Sequence, residues 1–145
     1  TPKPSSAASD VYKRQDYRDW HVPLGRRFRA LKLWFVLRSY GAENLRTFIR
    51  SHVAWAEALE SRIINDSRLE LTAPRTLALV CFRHTDGNDA TRELADAINA
   101  SGSAYVTPSV TDDVAYIRVS IGSTWTEQRH VEDLWDLIDS NAGLK

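Results

Sequence analysis

The sequence predicts an α+β domain, with helices segregated to one side of a small antiparallel sheet. Three observations carry that expectation. Two consecutive stretches have helical character, residues 31–37 through their density of apolar side chains and residues 42–65 through apolar residues recurring at three and four. A continuous apolar run at residues 77–82 has the length of a strand and polar flanks. Two further strand-like runs, residues 104–110 and 114–121, are joined by Thr111-Asp112-Asp113, a spacing that suits an antiparallel hairpin. With a helix on either side of that hairpin the order reads ααββαββα.

Each element has a local reason. Leu31, Leu33, Trp34, Phe35, Val36 and Leu37 leave almost no polar face, which predicts a helix buried on most sides. Gly41 suits the position just past its end. In the second helix Leu45, Phe48, Ile49, His52, Val53, Ala56, Leu59 and Ile63 form the packed face, while Glu43, Arg46, Arg50, Glu57 and Arg62 meet water. Residues 68–73 alternate weakly until Pro74 interrupts them, and residues 77–82 read as a central strand. Asn88 is expected to cap a helix lined by Leu94, Ala97 and Ile98 and stopped at Ser101-Gly102. The last helix is expected to open on a capping box running from Thr124 to Glu127, with Val131, Leu134, Trp135 and Ile138 on one face.

The chain has 145 residues, 43% of them apolar and 26% charged, which is enough for one domain with a core. Net charge is zero but unevenly placed. Residues 1–72 hold 13 basic against 8 acidic side chains and residues 73–145 hold 6 against 11, so the halves are +5 and −5. Both signs are interspersed, and nucleic acid is not an expected partner. The one cysteine, Cys81, lies in an apolar run and reads as a buried thiol, which excludes a disulfide framework and fits a reducing, cytoplasmic compartment. No apolar stretch approaches the roughly 18 residues that cross a bilayer, and no secretory signal is visible, so no membrane partner is expected. There is no methionine anywhere, and the chain is expected to be a truncated or processed product. Residues 1–15 are rich in Ser, Ala, Pro and basic residues without a period and are set apart as a non-family tail, leaving 16–145 as the domain.

The segment DYRDWHVPLGRRFRALKLWFVLRSYG, residues 16–41, places a Pro-Leu-Gly turn directly before three arginines and the apolar helix. Pro23 fixes one φ angle and Gly25 allows close backbone approach, so the turn reads as a rigidly mounted bend. This segment resembles the aromatic L-amino acid decarboxylases that use pyridoxal phosphate, the group of tyrosine, tryptophan and DOPA decarboxylases. The likeness continues through Arg50-Ser51-His52-Val53, Pro74-Arg75-Thr76, Leu79-Val80-Cys81-Phe82-Arg83, Ile98-Asn99-Ala100-Ser101-Gly102, Arg118-Val119-Ser120-Ile121-Gly122-Ser123, Thr126-Glu127 and Arg129-His130-Val131. It is the ordered series, reaching from Asp16 to about Ile138, that makes the resemblance specific.

The resemblance implies the C-terminal small domain of a fold-type I pyridoxal-phosphate enzyme, with the large domain missing. It implies that the coenzyme is bound mainly by residues upstream of Asp16. Lys3, Lys13, Lys32 and Lys145 are the only lysines, and none stands in the His-Asn-Lys setting in which the family carries its coenzyme lysine, so no catalytic residue is expected here and the chain alone should be inactive. Leu24 and Gly25 match the family turn that a neighbouring subunit presents to the substrate's aromatic ring, which implies a substrate-binding role within a homodimer. In plant members Gly at this place tends to accompany indole or broader substrates and Ser phenolic ones. An aromatic aldehyde synthase of the same family is the alternative enzyme, and an α+β binding or regulatory module is the alternative from another class.

The remaining polar residues carry less. Arg26, Arg27 and Arg29 point in different directions around a helix start and are expected to form ion pairs, with Asp16, Asp19 or a partner subunit. His21, His52, His84 and His130 show no metal-ligand spacing, so no metal is expected, and His52 reads as a hydrogen-bonded core histidine.

Overall fold

A computed structural model describes residues 27–143, and the chain divides into two compact units after Gly41. In the first unit α1 (Arg29–Tyr40) ends at Gly41, whose φ of 74° places it in the left-handed region and whose amide donates to the Leu37 carbonyl at 3.0 Å. The expectation that this helix is buried on most sides is not met: none of its residues is buried. Its composition dictates a surface that favours being covered, but composition does not name the polypeptide that covers it.

The second unit runs α2 (Ala42–Asn65), β1 (Leu69–Thr76), β2 (Leu79–His84), α3 (Asn88–Ala100), β3 (Thr107–Thr111), β4 (Val114–Ser120) and α4 (Gln128–Asn141). The four strands form one antiparallel sheet in the order β1-β2-β4-β3, so the architecture is α+β as expected. Strand alternation decides which face the helices cover. Val80, Phe82 and His84 of β2 and Ala115, Ile117 and Val119 of β4 are buried, while Cys81, Arg83, Tyr116 and Arg118 point the other way. The buried face meets Ala56, Leu59 and Ile63 of α2 and Leu94, Ala95 and Ile98 of α3, and Val131, Leu134 and Ile138 of α4 complete the core. Both edge strands carry a proline, Pro74 in β1 and Pro108 in β3, and β1 is further broken by two register shifts. These features discourage pairing with another strand.

Several local expectations need correction. Leu77 is outside β2, in the β1–β2 turn at φ 53°, and β2 instead extends through Arg83 and His84. A half-buried strand alternates, so its outward polar residues belong to it even where the apolar run has stopped. Cys81 is on the sheet face opposite the helices and only half-buried. β1 continues through Pro74, which an edge strand tolerates. Residues 104–106 precede β3; Val106 is buried from a loop position, its amide donating to Asn99 Oδ1 at 2.7 Å and its carbonyl accepting from Asn99 Nδ2 at 3.1 Å.

Asn88 is the first residue of α3, after Gly87, and does not cap it. Its side chain accepts from the Ala115 amide at 2.9 Å and donates to the Asp113 carbonyl at 2.7 Å, tying the helix start to the β3–β4 turn. In that turn Asp112 and Asp113 both have positive φ, 50° and 63°, as a tight hairpin with right-handed twist requires. The start of α4 lies later than the Thr124 pattern indicates. Glu127 is the cap residue, and its amide donates to His130 Nδ1 at 3.1 Å.

Candidate functional site

The sequence-predicted site residues, Leu24 and Gly25, lie outside the described residues, as do His21, Arg26, Asp16 and Asp19. What the structure describes is the helix that follows the turn and the sheet unit.

The sheet face opposite α2, α3 and α4 is polar. Glu70 on β1 lies opposite Arg83 on β2 and accepts from its Nε at 2.6 Å. Cys81 pairs across to Arg118, which in turn pairs with Thr107. Tyr116 and Thr111 share a hydroxyl hydrogen bond of 3.1 Å. The exposed Arg118 guanidinium therefore stands near the middle of this face, among small or neutral neighbours. The sequence reading passed over it because strand alternation reveals a side only after the register is known.

At one end of the sheet a second constellation joins segments far apart in sequence. Arg68, just before β1, donates to both carboxylate oxygens of Asp66, at 2.9 and 2.6 Å, and to the carboxylate and carbonyl of Asp139 near the end of α4. The Arg68 hydrogen bond holds the Asp66 carboxyl below its usual range, and the two carboxylates raise the arginine further above its own. Beside them His84, almost fully buried, accepts the Asp86 amide on Nδ1 at 3.0 Å and has Nε2 3.0 Å from the Ala142 carbonyl. A neutral imidazole protonated on Nε2 satisfies both contacts. Of these, Arg68, His84 and Asp86 border, with Glu93, Leu94 and Asn141, a cavity of about 330 Å³. The arrangement anchors the end of α4 to the sheet.

His52 is buried as expected but lacks the expected hydrogen bond: among the described residues its Nε2 has no partner, and its ring lies 4.0 Å from Phe48 and 5.2 Å from Trp55, centre to centre. Also among the described residues, no hydroxyl or thiol is hydrogen-bonded to an imidazole nitrogen, and no three His, Cys, Asp or Glu side chains are grouped to hold a metal. Lys32 is the one described lysine and lies exposed on α1. These residues therefore do not form a site for pyridoxal phosphate, which needs a lysine for its aldehyde and a carboxylate for its ring nitrogen. No described helix is long and apolar enough to cross a membrane.

Comparison with known proteins places the chain. The model of the pyridoxal-dependent decarboxylase conserved domain matches residues 5–85, beginning inside the segment that sequence reasoning set apart as a tail. The chain is 42% identical to a phenylacetaldehyde synthase of a Rosa hybrid cultivar and 41% identical to tryptophan decarboxylase 2 of Oryza sativa subsp. japonica, each over 93% of this chain and 29% of the relative. Its structure is similar to that of Catharanthus roseus tryptophan decarboxylase in complex with L-tryptophan, with a TM-score of 0.76 and 39% identity, over 88% of this chain and 28% of that one. The chain thus spans under a third of the length of these relatives. The sequence and its fold agree: this chain belongs to the pyridoxal-dependent decarboxylase family.

Proposed function

We propose that this chain is the C-terminal part of a decarboxylase that converts aromatic L-amino acids, such as tryptophan, DOPA or tyrosine, to amines and carbon dioxide, acting as a cytoplasmic homodimer. The observation that carries the proposal is a match over 93% of the chain to enzymes more than three times its length. A chain whose described residues hold no coenzyme site is what such a part would be. Pyridoxal phosphate supplies the electron sink for loss of the carboxylate. It is bound by portions of the subunit outside this chain, and the 145 residues alone are inactive. The role proposed for this chain is to close the pocket, Leu24 and Gly25 reaching the aromatic ring held by the neighbouring subunit.

A second reading, oxidative conversion to an aldehyde, is favoured by the similarity to the rose enzyme named phenylacetaldehyde synthase. Product analysis of the complete subunit separates the two. The proposal predicts amine and carbon dioxide in equal amounts from an aromatic amino acid; aldehyde with hydrogen peroxide supports the second reading, and no turnover of any aromatic amino acid contradicts both. In the same subunit Gly25→Ser is expected to shift the ratio of indole to phenol turnover several-fold. An unchanged ratio removes Gly25 from the pocket.

A further inference from the structure

The cavity of about 330 Å³ beside His84 has an ordered lining. One wall is apolar: Ala90, Leu94 and Ala97 stand three or four residues apart on α3 and share a face. The two basic groups that border the cavity are already satisfied. His84 has a ring nitrogen at the Ala142 carbonyl and the other at the Asp86 amide, and the Arg68 guanidinium is shared between the Asp66 and Asp139 carboxylates. Neither requires a hydrogen bond from a guest.

The charge left over is negative. Asp86 and Glu93 border the same cavity and are exposed, and among the described residues neither pairs with a lysine or arginine. Asp86 has the His84 ring 3.9 Å away, and that ring is neutral when only Nε2 carries a proton. A metal ion is disfavoured, because no three His, Cys, Asp or Glu side chains are grouped to hold one among the described residues. An anion would meet two carboxylates that lack a cationic partner. What fits is an ammonium at the rim joined to an apolar body lying along α3.

We infer that this cavity takes a primary arylalkylamine in preference to the corresponding amino acid. The discrimination follows from charge. An amino acid keeps a carboxylate beside its ammonium, which Asp86 and Glu93 repel, and decarboxylation removes that carboxylate. The cavity lies at the small end of the size range of small-molecule sites, which suits one aromatic ring system on a short arm. That such an amine is the enzyme's own product rests on the proposed function; the charge and shape of the cavity do not.

Equilibrium dialysis of the 145-residue chain against tryptamine, tryptophan and indole-3-propionate tests the inference. The parent is expected to bind about one tryptamine per chain, with a dissociation constant on the order of 1 mM or below. Tryptophan and indole-3-propionate should bind about tenfold more weakly or worse. Asp86→Asn with Glu93→Gln should weaken tryptamine about fivefold or more, the scale of two exposed charge pairs. Ala90→Trp, which fills the apolar side, should abolish saturable binding. Trp34→Glu with Leu37→Glu should leave it unchanged, which separates the cavity from the apolar surface of α1. Parent-like circular dichroism in each variant ties the losses to the cavity.

A parent that binds no tryptamine saturably overturns the inference, as does equal affinity for tryptophan or unchanged affinity in the Asp86→Asn, Glu93→Gln chain. A tenfold rise in affinity in Lys145→Gln would assign the rim to the chain's own ammonium and would also overturn it. Selective tryptamine binding by a chain whose complete subunit releases no amine supports the cavity assignment and contradicts the proposed function instead.

Discussion

Asp66 and Asn88 show how single side chains hold distant segments of this unit together. Asp66 is a carboxylate fixed by Arg68, and Arg68 reaches 71 residues along the chain to Asp139. Because the folded carboxyl ionises below the unfolded value of about 4, its contribution is complete above that pH and fades as pH falls through the lower folded value. Urea midpoints measured from pH 6 to pH 3 should therefore fall on acidification, and Asp66→Asn should flatten part of that fall while lowering the midpoint at pH 6. An Asp66→Asn profile parallel to the parent would show that the pair does not couple to folding. Asn88 replaces two backbone partners that the β3–β4 turn leaves open, so Asn88→Ala is expected to cost about 1–3 kcal/mol in denaturant unfolding. A loss under a few tenths would mean that water takes over both bonds.

At the scale of elements, α1 is the one helix among the described residues that has no buried residue. Phe28, Leu31, Leu33, Trp34 and Leu37 line an open apolar groove on it. A continuous apolar surface of this kind drives association, so the 145-residue chain is expected to sediment as oligomers at micromolar concentration, and Trp34→Glu with Leu37→Glu should shift it toward monomer. A parent chain that is already a monodisperse monomer would contradict this. The same helix marks a limit of what the sequence makes legible. The density of apolar side chains revealed that residues 31–37 are helical, but not what covers them. Within β2, Val80 and Phe82 were readable as core because a central strand concentrates apolar residues. Leu77 was not readable as exposed, since nothing in the run distinguishes a turn residue at positive φ from its strand neighbours. The Arg68–Asp139 and Asn88–Asp113 contacts were hidden for a simpler reason: each partner is named only by the tertiary fold. Leu24 and Gly25, the candidate site, fall outside the described residues, and their role rests on the family resemblance and the Gly25→Ser experiment.

For the whole molecule, the fold and the family match place the chain in the pyridoxal-dependent decarboxylase family, and the proposed function makes it a domain that completes an enzyme. Its helix-covered face forms one core and its opposite sheet face is polar, as the water-facing side of an antiparallel sheet is, while α1 presents apolar surface. The described residues do not form a coenzyme site, so the coenzyme must be held elsewhere in the subunit if the proposed function is right. Absorbance tests this central claim most directly. A complete subunit containing this chain, purified with pyridoxal phosphate and freed of excess, should show an imine band near the edge of the visible, and the 145-residue chain treated identically should show only aromatic absorption. A complete subunit without the band, or an isolated chain that acquires it, would contradict the account.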